Sequence, residues 1–199
     1  MASYQVSEEE CRQCVLAIKR TGINFLAIDF DMTLVDCHTQ GKWNGSVDLL
    51  GSKVRPFFKM IVPMAMNQGV KVAIVTKSPQ VKVIQAVLSE VFPDCGAYIP
   101  VRGHPSKGDF VWEYQGTGSR AGKQMHMASA AEELNLNEKE NQARRDIRLN
   151  NEAVITRDTT LLIDDDYSNI TGALNNSVRA IYWIPGKVQA MVEEFLALQ

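Results

Sequence analysis

The stretch Phe25-Leu26-Ala27-Ile28-Asp29-Phe30-Asp31-Met32-Thr33-Leu34 decides the fold. From Ile23 to Ile28 the chain is mostly apolar, bounded by Gly22 and ending at Asp29, which reads as a short strand buried on both faces. Side chains two apart on an extended segment point the same way, so Asp29 and Asp31 share a face while Phe30 turns into the core. Working outward, Val70–Val75, Ala97–Val101, Thr159–Ile163 and Arg179–Trp183 are further short apolar runs. Helical spacing separates them. It predicts helices over Ser7–Lys19, where Ser7 and Glu10 form a capping box, over Ser52–Gln68, kinked at Pro63, over Gln80–Val91, Lys123–Leu136 and Tyr167–Leu174, and from Lys187 onward. Strands alternating with helices imply the α/β class, a three-layer α/β/α Rossmann-like parallel sheet covered on both sides.

The chain has 199 residues, 45% hydrophobic and 22% charged, enough for one sizeable core and too few for two full domains. Residues 1–22 are expected as a helix packed on that core. Residues 23–199 form the α/β domain, with a polar flap over Asp36–Gly45 and loop insertions at about 102–122 and 137–158. With 21 basic and 23 acidic residues the formal charge is −2, which disfavours a nucleic-acid partner without excluding a local patch. No run approaches the roughly 18 apolar residues of a membrane span, and the acidic N-terminus lacks a signal-peptide layout. Four irregularly spaced cysteines fit a reducing compartment, so the expected location is cytoplasmic. Cys11 and Cys14 read as two small apolar residues one helical turn apart, in preference to a redox or zinc half-site.

Ligands of parallel α/β sheets bind at the carboxyl ends of the strands. The groups standing there are Asp29 and Asp31, Thr76, Lys123 at a helix start, and Asp164 with Asp165. Two carboxylates about 4 Å apart repel by about 1 kcal/mol in water and about 4 kcal/mol at an effective dielectric of 20, so such a cluster calls for a cation. Oxygen ligands without His or Cys suit a hard ion, Mg²⁺ with a substrate phosphate. One carboxylate can then attack phosphorus in line. The metal, Lys123 and the Thr76 hydroxyl, with Lys77 beside it, would neutralise the phosphoryl oxygens. The second Asp can protonate the leaving oxygen and later deprotonate water.

Asp29-Phe30-Asp31-Met32-Thr33 after an apolar strand resembles the first motif, D-x-D-x-T, of the haloacid dehalogenase superfamily of phosphotransferases. Thr76, Lys123 and Leu161-Leu162-Ile163-Asp164-Asp165-Asp166 are similar to its second, third and fourth motifs, in order, over residues 23–184. The resemblance implies Asp29 as nucleophile and metal ligand, and Asp31 as general acid/base that also offers its backbone carbonyl to the metal. It further implies Thr76 and Lys123 as phosphoryl holders, Asp164 as a Mg²⁺ ligand, Asp165 as a second or water-bridged one and Asn169 as an orienting group. Lys107 is the alternative for the third motif. Asp31 favours phosphoester hydrolysis over carbon–halogen cleavage.

The implied function is a Mg²⁺-dependent phosphatase working through an aspartyl-phosphate. Neither gap between motifs has room for a full cap domain, which leaves open a macromolecular phosphate, or a small one enclosed by a neighbouring copy of the chain. The rivals are a non-enzymatic phosphoacceptor of receiver type and a silent interaction module. The paired Asp29 and Asp31 argue against the first, since a receiver carries its phosphorylated Asp alone. An isolated strand-end Asp or Thr can also be a plain helix cap, as can one of the Asp164–Asp166 triplet. His38 in the flap reads as a surface residue or a substrate contact, His126 as a packing or orienting residue in preference to a catalytic one, and Trp43 as a cover or an anchor.

Overall fold

The computed structural model describes residues 4–104, 119, 121–145 and 154–198, the side chains of 140–145 excepted. In chain order its elements are α1 (Glu8–Arg20), β1 (Phe25–Ile28), α2 (Val47–Ser52), α3 (Pro56–Asn67), β2 (Lys71–Val75), α4 (Val81–Val91), β3 (Val101–Arg102), α5 (Gln124–Arg145), β4 (Thr160–Asp164), α6 (Tyr167–Leu174), β5 (Arg179–Tyr182) and α7 (Val188–Leu196). The strands form one parallel sheet in the order β3-β2-β1-β4-β5, with β1 at its centre. This is the three-layer α/β/α parallel sheet expected, without a large cap among the described residues.

Period-two alternation along the strands builds two cores. Leu26, Ile28, Val72, Ile74, Leu161, Ile163 and Ile181 face one side, where α1, α3, α4 and α7 pack around Phe57, Phe58, Trp183 and Phe195. The smaller Ala27 and Ala73, with Phe25, Val75 and Leu162, face Met127, Ala130 and Leu134 of α5 and Ala173 of α6. Helix α1 starts as expected: the Ser7 hydroxyl accepts from the Glu10 amide at 3.2 Å, and the Glu10 carboxylate accepts from the Ser7 amide at 2.8 Å. Cys11 and Cys14 on its inner face are buried free thiols, which burial pushes up to about 11 and about 12. Thiols so hard to ionise are core residues, not reactive ones.

Three expectations are corrected. The helix expected over Ser52–Gln68 starts only at Pro56, because Arg55 before it is held extended, at φ −66° and ψ 140°, and a separate short helix, α2, precedes it over Val47–Ser52. Helix α3 then runs on through Pro63. The third strand is only Val101–Arg102: Gly96–Tyr98 is a single tight turn, and Pro100 has no N–H for a ladder. Helix α5 continues past Leu136 to Arg145. Lys107 lies outside the described residues, as do most of the insertion at 102–122 and residues 146–153 of the one at 137–158, whose first part, 137–145, is the end of α5 and not a loop. No helix among the described residues is long and apolar enough to cross a membrane.

Candidate active site

The ladder continues one residue beyond the strands at the carboxyl edge. The Asp29 amide donates to Ile163 O at 2.9 Å, Thr76 N to Arg102 O at 2.8 Å and Trp183 N to Asp164 O at 2.9 Å. Asp29, Thr76 and Asp164 are thereby set side by side on three adjacent strands. They line a cleft of about 570 Å³, together with Asp31, Lys77, Lys123, Asp165, Asp166 and Asn169, and with His38, Gln40 and Gly41 of the flap. Every sequence-predicted site residue stands there. A cavity of about 600 Å³ between α5 and β3 is comparable in size. Its charged groups are committed to the ion pairs Arg102–Glu133 and Lys71–Glu138, so the chemistry points to the strand-end cleft.

Lys123 is the centre of the cluster. It reaches over the sheet from the residue before α5, with Gly122 ahead of it at φ +55°, a left-handed conformation that suits glycine. Its ammonium, 2% exposed, donates to Asp29 Oδ1 and lies 2.7 Å from Asp164 Oδ2. Burial opposes the charge on Lys123, but the two carboxylates outweigh it and hold the ammonium above its ordinary pKa. Asp29 moves the other way for a carboxylate. Burial raises it to about 7 against the pull of Lys123, and Asp164 and Asp165 add to the rise.

Each acid of the Asp164–Asp166 triplet has its own task. Asp164 is 1% exposed and accepts from the Asp166 amide at 2.8 Å and from Asn169 Nδ2 at 3.1 and 3.2 Å, so Asn169 orients it. Asp165 accepts the Thr33 hydroxyl at 3.1 Å. Asp166 is the N-cap of α6, accepting the Ser168 amide at 2.9 Å, and it takes Lys77 at 3.2 Å. Carboxylate oxygens of Asp29, Asp164 and Asp165 lie within 4.8 Å of one another and could hold a metal ion. The all-oxygen donor set fits a hard divalent cation, and three carboxylates against one ammonium leave negative charge for it to offset. Asn169 Oδ1, buried beside them, has no hydrogen-bond partner among the described residues.

Asp31 stands apart from that trio. Its carboxylate accepts the Thr39 hydroxyl at 2.9 and 3.0 Å, and burial raises its pKa against the opposing effect of Thr39 and His38. Thr76 Oγ1 accepts from Ser78 N at 3.1 Å, which leaves its own hydrogen for a ligand. Trp43 packs on the core edge and donates through Nε1 to Ser46 O at 3.0 Å, so it anchors the flap. His126 is buried one turn beyond Lys123, and burial together with the Lys123 charge pushes it down to about 4.

The sequence gives no local signal for Thr39, Gln80 or Arg55. Arg55 donates to Thr33 O and Met32 O, both at 3.0 Å, and lies over the Trp183 ring at 5.2 Å. It steadies the turn after Asp31, where Met32 is left-handed at φ 59°.

No protein-family model matches the sequence, and no curated protein matches it. Solved structures that resemble it include a protein from Corynebacterium glutamicum, at 14% identity over 89% of this chain and 97% of that one, with a TM-score of 0.45. The N-terminal part of BF1531 from Bacteroides fragilis, which contains a phosphatase domain and is complexed with Mg, matches at 15% identity over 94% of this chain and 43% of that one (TM-score 0.48). The HAD domain of the effector Lem4 from Legionella pneumophila, an inactive mutant, matches at 15% identity over 88% and 94%, with a TM-score of 0.42.

Proposed function

We propose that this chain is a Mg²⁺-dependent phosphohydrolase that cleaves a phosphomonoester through an aspartyl-phosphate on Asp29. The observation that carries the reading is one buried ammonium, Lys123, shared by Asp29 and Asp164, with Asp165 alongside at the mouth of an open cleft. Asp29, Asp164 and Asp165 would hold the ion, which supplies positive charge beside the transferring phosphoryl oxygens.

Asp29 attacks phosphorus in line, forming a carboxyl–phosphorus link as the bond to the leaving oxygen breaks. Lys123 offsets the negative charge brought into the cleft, and the Thr76 hydroxyl donates to a phosphoryl oxygen. Asp31 protonates the leaving oxygen. It then takes a proton from the water that attacks phosphorus, and Asp29 is regenerated as phosphate departs. Lys77 at the rim adds a charge for the incoming phosphate. The substrate is a phosphorylated small molecule or macromolecule.

The test is hydrolysis of an aryl phosphate with and without Mg²⁺. Turnover should require the ion and vanish in Asp29→Asn; activity retained in that variant would remove Asp29 as nucleophile.

A further inference from the structure

The flap does more than border the cleft. Gln40 and Gly41 are both left-handed, at φ 55° and 68°, and turn the flap onto Pro79, where a Cβ on Gly41 would meet Pro79 Cδ at 3.2 Å. Next to Pro79, at the residue before α4, the Gln80 side chain crosses to the flap and bonds in both senses. Its Oε1 accepts from the Trp43 amide, and its Nε2 donates to Thr39 Oγ1 at 3.3 Å and Ser78 Oγ at 3.4 Å.

The polarity of this chain is fixed from one end. A backbone amide can only donate, so the atom facing Trp43 must be the amide oxygen of Gln80. The nitrogen therefore faces Thr39 and can only donate. Thr39 Oγ1, accepting there, has one hydrogen left, and the acceptor within its reach is Asp31, at 2.9 and 3.0 Å to the two oxygens. Thr39 is 4% exposed, so water does not compete freely for that hydrogen.

We propose that Gln80 is a positioning residue for Asp31: its amide fastens the flap and, by donating to Thr39, obliges the Thr39 hydroxyl to hold the Asp31 carboxylate in line with the leaving oxygen. This rests on the acid/base role of Asp31 proposed above. Gln80→Glu keeps the shape and the Trp43 contact while turning the second bond from donor to acceptor. The Thr39 hydroxyl hydrogen is then drawn to Glu, and of its two bonds to Thr39 the Asp31 carboxylate keeps only the one to the backbone amide.

The experiment measures kcat/KM with Mg²⁺ for aryl phosphates of progressively poorer leaving groups, ending with an alkyl phosphate, beside thermal unfolding of each variant. Because kcat/KM reports phosphoryl transfer to Asp29, a good leaving group needs no proton. Gln80→Glu and Thr39→Val are expected to match wild type on the most activated substrate and to fall by about 10²-fold on the alkyl phosphate, the smaller end of what a lost general acid costs. Thr39→Ser should restore the alkyl rate. Asp31→Asn must show the same selectivity; if it is flat across the series, the acid role of Asp31 fails and the inference fails with it. If Asp31→Asn is selective while Gln80→Glu is unchanged, or is lowered equally on every substrate, the inference alone is overturned.

Discussion

At the scale of single residues, Lys123 decides whether the cluster survives burial. Taking an ammonium out of water costs several kcal/mol, and one neighbouring carboxylate returns about 4 kcal/mol at an effective dielectric of 20, so a single partner barely suffices. Lys123 has two, Asp29 and Asp164. Lys123→Met would leave both carboxylates buried and facing each other, and urea denaturation should show a loss of about 3–5 kcal/mol. Stability equal to wild type would mean that the cluster is not held by this charge. His126 gives a separate, pH-dependent expectation. Burial, then the Lys123 charge, lowers it from 6.5 to about 4, so between those values the unfolded chain binds a proton that the folded chain refuses. Its contribution is therefore present above pH 6.5 and lost as pH falls toward 4, by about 3 kcal/mol at most. A wild-type stability slope over this range no steeper than that of His126→Gln would contradict the shift.

At the scale of elements, the junction of β1 with α3 depends on Arg55. The turn at Phe30–Leu34 closes through i to i+5 bonds, Leu34 N to Asp29 O at 3.2 Å and Val35 N to Phe30 O at 3.0 Å, and this leaves the Met32 and Thr33 carbonyls to Arg55. Left-handed Met32 stores about 1–3 kcal/mol of strain that something must hold. Arg55→Ala should cost about 1–3 kcal/mol for the two orphaned carbonyls, measurable by chemical denaturation, and Lys should restore little because one ammonium cannot reproduce the guanidinium fork. Full recovery in Arg55→Lys would show that charge alone matters. This junction also marks where the sequence stops being legible. Strands β1, β2, β4 and β5 were readable because they are short apolar runs, each leading to a polar residue or turn. The residues at those ends were readable because parallel strands place their carboxyl ends together. The two-residue β3 was overread, since Pro100 and the turn at Gly96–Tyr98 remove most of its ladder. Thr39, Gln80 and Arg55 were invisible because they act across the chain, through hydrogen bonds to backbone or to a neighbour's hydroxyl, and such bonds leave no local pattern.

At the scale of the whole molecule, the sheet gathers charge that composition conceals. A formal charge of −2 over 199 residues is unremarkable as an average, yet Asp29, Asp164 and Asp165 share one edge with a single buried ammonium among them. A divalent ion that enters this site binds the folded chain and not the unfolded one, since unfolding scatters its ligands. At 100 times its dissociation constant such an ion adds about 2.7 kcal/mol, which for a chain of this size raises the unfolding midpoint by about 5–10 °C. Thermal unfolding of wild type in excess Mg²⁺ should show that rise. In Asp165→Asn it should shrink, because the lost carboxylate is half-buried at the rim and its only hydrogen-bonded neighbour among the described residues is Thr33. Sodium chloride at matched ionic strength is the necessary control, because screening of neighbouring carboxylates also stabilises a fold. An equal rise with the sodium salt would mean diffuse screening of an acidic rim, and the three carboxylates would then owe their placement to the fold and not to a bound metal.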